Sequence, residues 1–124
     1  MSAAAWLRRL LGPGIRRVSA AEAARLLQEG GAVLLDVRER AEWKAGHAPQ
    51  ARHVPLGEMA GRMPGLPAGR PVITVCRSGA RSARAAALLA RSGHQAINLT
   101  GGMRAWAAAG LPVITTGGQR GRVI

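Results

Sequence analysis

Two uninterrupted apolar runs constrain the fold of this chain more than any other feature of its sequence. Residues 32–35 and 72–75 are apolar or β-branched throughout, without the polar alternation of a strand that has one face in water. Such continuity is typical of strands buried on both faces, as in a parallel sheet covered by helices. Helix-like segments alternate with these runs and with two further extended pieces, residues 53–56 and 96–99. The pattern predicts an α/β fold with helices on both faces of a parallel sheet.

Helix signals mark the segments between the strands. Ser19 and Glu22 form a capping box that begins a helix, and Gly93 ends a second helix over residues 81–91. A short helix is also predicted for residues 38–43. These signals support the alternation of strands and helices along the chain.

The chain divides into one domain and two terminal segments. Its 124 residues accommodate a single domain with a real core, which we predict to span residues 18–114. We predict residues 1–17 to be an N-terminal leader, which is a short amphipathic helix, a segment folded onto the domain or a partly disordered segment. Residues 115–124 are predicted to be a flexible basic tail.

The only cysteine of the chain stands where the second apolar run stops. A polar loop from Cys76 to Arg81 follows this strand and leads into a helix. Asp36 follows the first apolar run in the same way. In open parallel sheets, ligands bind outside the carboxyl ends of the strands. We therefore expect Cys76 and Asp36 to lie on one edge of the sheet, at the functional site.

The loop is suited to hold a reactive thiolate. A short glycine-bearing loop that leads into a helix N-terminus turns several backbone N–H groups inward and makes a cradle for anions. The helix dipole and two arginines, Arg77 and Arg81, are expected to lower the pKa of Cys76 below that of a free thiol. An inert buried cysteine is the alternative, but the loop favours a nucleophile that attacks sulfur or phosphorus.

The spacing of the loop separates these two chemistries. Phosphatases of the tyrosine type have a similar loop with five residues between the cysteine and the arginine, whereas this loop has four, which are Arg77, Ser78, Gly79 and Ala80. The tighter ring suits a single sulfur on the cysteine better than a tetrahedral phosphate. A phosphatase also needs a general acid, and the sequence offers no evident candidate. A Cys-dependent phosphatase or arsenate reductase remains the weaker alternative.

Three ordered blocks of the sequence carry a family resemblance. They are LLDVRERAEWKAGHAPQARHVPL at residues 34–56, CRSGARS at residues 76–82 and GGMRAWAAAGLPV at residues 101–113. The first is similar to a D-V-R, E-[FYW], G-H-I-x-G-A and N-[IL]-P signature, the second to an active-site loop, and the third to a closing G-G-x-x-x-W segment. All three patterns are typical of the rhodanese-like sulfurtransferases. The chain resembles the single-domain members of this family.

The resemblance implies a three-layer α/β/α domain around a parallel sheet of about five strands. It also implies an enzyme in which Cys76 takes a sulfane sulfur from thiosulfate or another persulfide donor and passes it, as a persulfide, to cyanide or a thiol. By the same resemblance, Arg77 and Arg81 bind the anionic donor. The loop amides that hold the persulfide are those of Arg77, Ser78, Gly79, Ala80 and Arg81. A sulfur-carrier or signalling module that acts only with a partner, such as a sulfur-accepting protein, has the same loop and stays open.

Four further residues are predicted to support the loop rather than to react. Asp36 as a carboxylate beside the thiolate would raise the pKa of Cys76, so a structural ion pair is expected instead. Arg38 and Glu42, which are four positions apart, are the local candidates for the network around Asp36. His47 stands in a turn and is expected to make a stabilising hydrogen bond rather than to act as a base.

Charge and composition narrow the partners. The formal net charge is +12, but the arginines are spread along the chain without a basic block or interleaved aromatic residues, so nucleic acid is not an expected partner. A single cysteine excludes an internal disulfide and a cysteine-based metal cluster, and neither metal nor cofactor is expected. No apolar run approaches the roughly 20 residues of a membrane span, and no secretory leader is evident, so we expect a cytoplasmic location.

Overall fold

The computed structural model describes residues 15–67 and 69–124, in which five parallel strands form one sheet. The strands are β1 (Arg16–Val18), β2 (Val33–Asp36), β3 (Arg52–His53), β4 (Val72–Val75) and β5 (Ala96–Leu99), in the spatial order β1-β5-β4-β2-β3. The helices are α1 (Ala20–Gln28), α2 (Arg40–Ala45), α3 (Met59–Arg62), α4 (Ala80–Arg91) and α5 (Gly102–Ala108). None of the helices in these ranges is long and apolar enough to cross a membrane. The prediction of a parallel α/β sheet of about five strands is confirmed.

Apolar cores lie on both faces of the sheet and make the fold a three-layer α/β/α structure. Successive residues of a strand face opposite sides, so Leu34 belongs to one core and Leu35 to the other. The first core packs α1 and α5 against the sheet and includes the fully buried Trp106. The second packs α3 and α4 against it, through Met59 and Leu89. Burial on both faces accounts for the continuous apolar runs of the strands.

Strand β1 extends the sheet beyond the predicted start of the domain. It pairs in parallel with β5, with Val18 opposite Leu99. Only Val18 of this strand is buried, so two arginines and one valine form no apolar run that would identify the strand. The amphipathic helix considered for the leader falls on residues 1–14, which lie outside the described residues.

The C-terminal segment, for which we predict a flexible tail, folds back onto the domain. The amide of Arg122 donates to Ala45 O at 2.9 Å, at the end of α2. Val123 is half-buried and packs against the first core. Residues 115–124 are therefore part of the packed structure, because a hairpin and one apolar side chain anchor them to it.

The carboxyl ends of β2 and β4 lie side by side at one edge of the sheet. The two strands pair in parallel, with Asp36 opposite Val75. The amide of Val37 extends the ladder by donating to Val75 O at 3.0 Å. Asp36 and Cys76 therefore occupy the same edge, as the positions of the two apolar runs predict.

Candidate active site

Cys76 lies at the start of a tight loop between β4 and α4. The residue is almost fully buried, with 1% of its surface exposed. Its Sγ accepts a hydrogen bond from the amide of Gly79 at 3.0 Å. Gly79 has a φ of 124°, a backbone conformation that residues with a side chain rarely adopt. With Gly79 in this conformation, the loop closes around a single sulfur atom.

Ser82, in the first turn of α4, places a hydroxyl beside the same sulfur. Its Oγ lies 3.3 Å from Cys76 Sγ, 2.7 Å from Asn98 Oδ1 and 3.1 Å from Gly79 O. A hydroxyl has one proton to donate, so these three acceptors compete for it. Asn98 of β5 also donates from Nδ2 to Gly79 O at 3.2 Å. Ser82 and Asn98 therefore tie the loop both to α4 and to β5.

The thiol of Cys76 has a pKa below its ordinary value. Burial raises this pKa, but hydrogen bonds from the Ser82 hydroxyl and from the backbone amides of Ser82, Gly79 and Ser78 lower it by more. These donors favour the thiolate because they bind the charged sulfur better than the neutral one. The direction agrees with the expectation from the sequence, and hydrogen bonds are its main physical cause.

The first turn of α5 fixes the loop through hydrogen bonds to its backbone carbonyls. The amide of Met103 donates to Cys76 O at 2.8 Å, and the amide of Arg104 donates to Arg77 O at 3.1 Å. Because a planar trans peptide directs its N–H opposite to its carbonyl, the loop amides that share these peptide units point away from α5. Gly102 permits this close approach, since a Cβ there would lie 2.4 Å from Cys76 O and 2.5 Å from Arg77 O.

Arg81 forms a bidentate ion pair with the carboxylate of Glu42. Its Nη1 and Nη2 donate to the two carboxylate oxygens of Glu42 on α2, at 2.7 and 2.8 Å. The hydrogen bond to Arg81 lowers the pKa of Glu42, and the same bond raises the pKa of Arg81. The expectation that Glu42 joins Arg38 in the network of Asp36 is thereby corrected. Glu42 lies toward α4 and meets Arg81, whereas Asp36 is bound by Arg38.

Asp36 and Arg38 form a buried ion pair at the end of β2. Both side chains are fully buried, and Arg38 donates from Nη2 to Asp36 Oδ2 at 2.7 Å and from Nε to Asp36 Oδ1 at 3.0 Å. Arg38 Nη2 also donates to Gly46 O at 2.8 Å. The pair therefore fastens the chain after β2 to the end of α2.

His47 lies in the turn after α2, where its ring is engaged by the scaffold. His47 Nδ1 is 2.7 Å from Trp43 O, so Nδ1 carries the proton that it donates to this carbonyl. The rings of His47 and Trp43 are stacked with their centroids 3.5 Å apart. His53 stacks on the same indole at 4.7 Å. These contacts hold α2 against the turn and against β3.

The loop residues assigned to substrate binding differ in exposure and in partners. Arg77, Ser78 and Ala80 are exposed, whereas Gly79 and Arg81 are partly buried. In the described part of the chain, Arg77 takes part in no ion pair. Arg77 is therefore the loop cation that has no carboxylate partner among the described residues.

Three residues at the site were missed from the sequence: Ser82, Asn98 and Gly102. Its sequence position could have identified Ser82, because a residue in the first helical turn, three residues after Gly79, directs its side chain at the loop. The contacts of Asn98 and Gly102 depend on how β5 and α5 pack against the loop. No local pattern in the sequence predicts that packing.

Comparison with known proteins adds independent information on this arrangement. The family model described as a rhodanese-like domain matches residues 19–109. The chain is 40% identical over 95 residues to a protein named sulfurtransferase from Allochromatium vinosum, and this match covers 76% of the chain and 89% of that protein.

Solved structures show the same fold. The crystal structure of a rhodanese-related protein from Thermoplasma volcanium matches with a TM-score of 0.75 and 27% identity, over 80% of this chain and 97% of that chain. A thiosulfate sulfurtransferase from Pseudomonas aeruginosa matches with a TM-score of 0.75 and 26% identity, over 89% of this chain and 22% of that chain. The family model spans most of the length of the chain, and the fold agrees with that of the solved structures. The chain therefore belongs to the rhodanese-like domain family, as its three sequence blocks predict.

Proposed function

We propose that this chain is a sulfurtransferase that carries a sulfane sulfur on Cys76. The Cys76 thiolate attacks the outer sulfur of thiosulfate or of another persulfide donor. The S–S bond of the donor breaks, and its leaving group, sulfite in the case of thiosulfate, departs with the electron pair. An acceptor thiolate or cyanide then attacks the outer sulfur of the Cys76 persulfide and releases the Cys76 thiolate.

The observation that carries this proposal is the set of donors around Sγ. Gly79 N–H at 3.0 Å and the Ser82 hydroxyl at 3.3 Å both lie within reach of the sulfur, and the pKa of Cys76 is lowered as a result. The thiolate before sulfur uptake and the persulfide after it are both anions. Fixed N–H and O–H donors favour each of them without reorganisation during the reaction.

We assign recognition of the anionic donor to Arg77 and the loop amides. Arg77 is exposed beside Cys76 and has no carboxylate partner among the described residues. Arg81 has its charge balanced by Glu42 at 2.7 Å, so its part is to orient the first turn of α4. The expectation that both arginines bind the donor is thus narrowed to Arg77.

The ion pair of Arg81 also weighs against a phosphatase. A Cys-dependent phosphatase would use its loop arginine as a bidentate clamp on the phosphate oxygens. Here Glu42 occupies both Nη atoms of Arg81. A phosphate would have to displace this carboxylate before it could be bound in that way.

Mass measurement after sulfur loading tests the proposal. Protein treated with thiosulfate and freed of excess reagent is expected to gain the mass of one sulfur atom on Cys76, and cyanide is expected to remove it as thiocyanate. Cys76→Ser should gain nothing, because the chain has no other cysteine. The proposal fails if neither thiosulfate nor a polysulfide changes the mass. Rapid hydrolysis of an aryl phosphate would instead identify a phosphatase.

Removal of the Ser82 hydroxyl should make Cys76 less reactive at neutral pH. The variant Ser82→Ala loses the largest of the contacts that lower the pKa of Cys76, so the pKa rises and the thiolate fraction at pH 7 falls. A hydrogen bond to a charged group contributes about 1.5–3 kcal/mol, and we therefore expect alkylation by iodoacetamide at pH 7 to slow about tenfold or more. Above the pKa of both proteins the two rates should converge.

Ser78→Ala is the matched control for this prediction. Ser78 lies in the same loop, and its backbone amide, not its hydroxyl, acts on Cys76. The alkylation profile of Ser78→Ala against pH should therefore coincide with that of the unchanged protein. Identical profiles for Ser82→Ala and the unchanged protein would contradict the assigned role of the Ser82 hydroxyl.

A further inference from the structure

The charges of this chain are divided unequally between its two halves. All six carboxylate side chains lie between Glu22 and Glu58, whereas residues 59–124 contain nine arginines and no acidic residue. The acidic stretch folds into α1, β2, α2 and the turn before α3. The loop of Cys76, α4, β5 and α5 therefore carry only positive formal charges.

Four arginines surround the Cys76 loop on this side, and we name them the arginine face. They are Arg17, Arg77, Arg84 and Arg104, and all four are exposed. The ion pairs found in residues 15–67 and 69–124 engage five other arginines, which are Arg25, Arg38, Arg40, Arg62 and Arg81. No member of the arginine face is neutralised by a carboxylate within the described structure.

Backbone contacts place this face next to the reactive sulfur. The amide of Arg104 bonds to Arg77 O, one residue after Cys76. Arg17 of β1 is opposite Asn98 of β5. The Asn98 side chain in turn bonds to Gly79 O in the loop. Arg84 lies one helical turn after Ala80, where α4 begins.

A pocket beside the loop offers a binding site for a negatively charged side chain. Its volume is about 500 Å³, and Arg17, Ser78, Asn98 and Thr100 are among the residues that line it. These residues supply a guanidinium, two hydroxyls and an amide. Such a lining suits a carboxylate, because a charged acceptor gains from several N–H and O–H donors at once.

We propose that the arginine face docks an acidic segment of a protein whose own cysteine accepts the outer sulfur from Cys76. The acceptor thiolate attacks the outer sulfur, the S–S bond to Cys76 breaks, and Cys76 leaves as the thiolate. The acceptor cysteine becomes the persulfide. This inference rests on the proposed function, because it names the partner that takes the sulfur.

Nucleic acid and membrane lipid fit the same face less well. Single-stranded nucleic acids are bound with aromatic platforms, but in the described part of the chain Trp106 is buried and Trp43 stacks on two histidines. Membrane surfaces are bound with apolar side chains as well as cations. Ile124 is the single exposed large hydrophobic residue among those described. A protein carboxylate needs neither feature.

Sulfur transfer to two cysteine peptides tests the docking. One peptide has glutamates around its cysteine and the other has glutamines, and each rate is corrected for the measured thiolate fraction of that peptide. Starting from the Cys76 persulfide, we expect the acidic peptide to accept sulfur at least about tenfold faster at low salt, the lower range of electrostatic steering. This advantage should shrink as salt screens the charges.

The double variant Arg17→Glu with Arg84→Glu should abolish this advantage while transfer to the glutamine peptide stays unchanged. Arg91→Glu is the matched control, because Arg91 is also exposed but lies in the last turn of α4, away from the loop. In this control the acidic peptide should keep its advantage.

Three results would overturn the inference. They are equal corrected rates for the two peptides, an advantage that survives in the double variant, and an oligonucleotide that displaces the acidic peptide and itself loses binding in the double variant. The last result would assign the face to nucleic acid. If no persulfide forms on Cys76, the proposed function fails. If persulfide forms and passes to both peptides at the same corrected rate, the docking inference alone fails.

Discussion

Replacement of Arg38 by methionine is expected to lower the free energy of unfolding by about 3–5 kcal/mol, the usual loss when one partner of a buried ion pair is removed. Asp36 and Arg38 are both fully buried. In the variant, the Asp36 carboxylate keeps the hydrogen bond from the backbone amide of residue 38, at 3.0 Å. It loses the guanidinium, which binds both of its oxygens. Gly46 O also loses its donor. Urea unfolding followed by circular dichroism measures the change.

Arg40→Met is the matched control for this prediction. Arg40 also forms an ion pair, with Glu58 at 2.8 Å, but 64% of its side chain is exposed. Exposed pairs contribute little to stability, because water and salt screen the two charges, so this variant should remain close to the unchanged protein. If Arg38→Met is no more destabilising than Arg40→Met, the buried pair does not support the fold.

A double variant separates the stability lost through an unpaired buried charge from the stability lost through poorer packing. Asp36→Asn combined with Arg38→Met removes both charges and should recover part of the stability lost in Arg38→Met alone. The two residues are in direct contact, so their effects should not add. Additive losses in this cycle would show that the carboxylate of Asp36 is not stranded by the loss of Arg38.

The edge on which the site lies could be predicted from local patterns. Continuous apolar runs identify strands buried on both faces, and parallel strands bring their carboxyl ends to one edge. The neighbouring positions of Asp36 and Cys76 follow from these two facts. Strand β1 could not be found in this way, because Val18 is its only buried residue and an edge strand of three residues has no period to recognise.

Contacts between distant segments could not be predicted. Arg81 and Glu42 are 39 positions apart, and Glu42 has Arg38 four positions before it as a nearer candidate. Which cation Glu42 meets depends on the packing of α2 beside α4 and on the burial of Arg38 against Asp36. The sequence predicts a lowered pKa of Cys76 from the helix dipole and two arginines, whereas in the structure hydrogen bonds from the loop and from α4 lower it.

Replacement of Gly102 by alanine is expected to slow sulfur uptake by Cys76 about a hundredfold, the order of loss that follows a misplacement of about 1 Å at a reacting group. The added Cβ would lie 2.4 Å from Cys76 O and 2.5 Å from Arg77 O. These are backbone atoms that cannot rotate away, so the loop or α5 must shift. The left-handed backbone of Gly102, with a φ of 60°, adds about 1–2 kcal/mol of strain.

Gly110→Ala distinguishes this displacement of the loop from backbone strain alone. Gly110 follows the same helix and has a φ of 76°, but a Cβ there would meet nothing within 4 Å. This control should therefore lose about 1–2 kcal/mol of stability and keep its rate of persulfide formation, measured by mass after brief exposure to thiosulfate. Gly102→Ala should lose both, because its Cβ displaces the carbonyls that Met103 and Arg104 fix. Equal rates in the two folded variants would mean that the first turn of α5 does not set the position of the Cys76 loop.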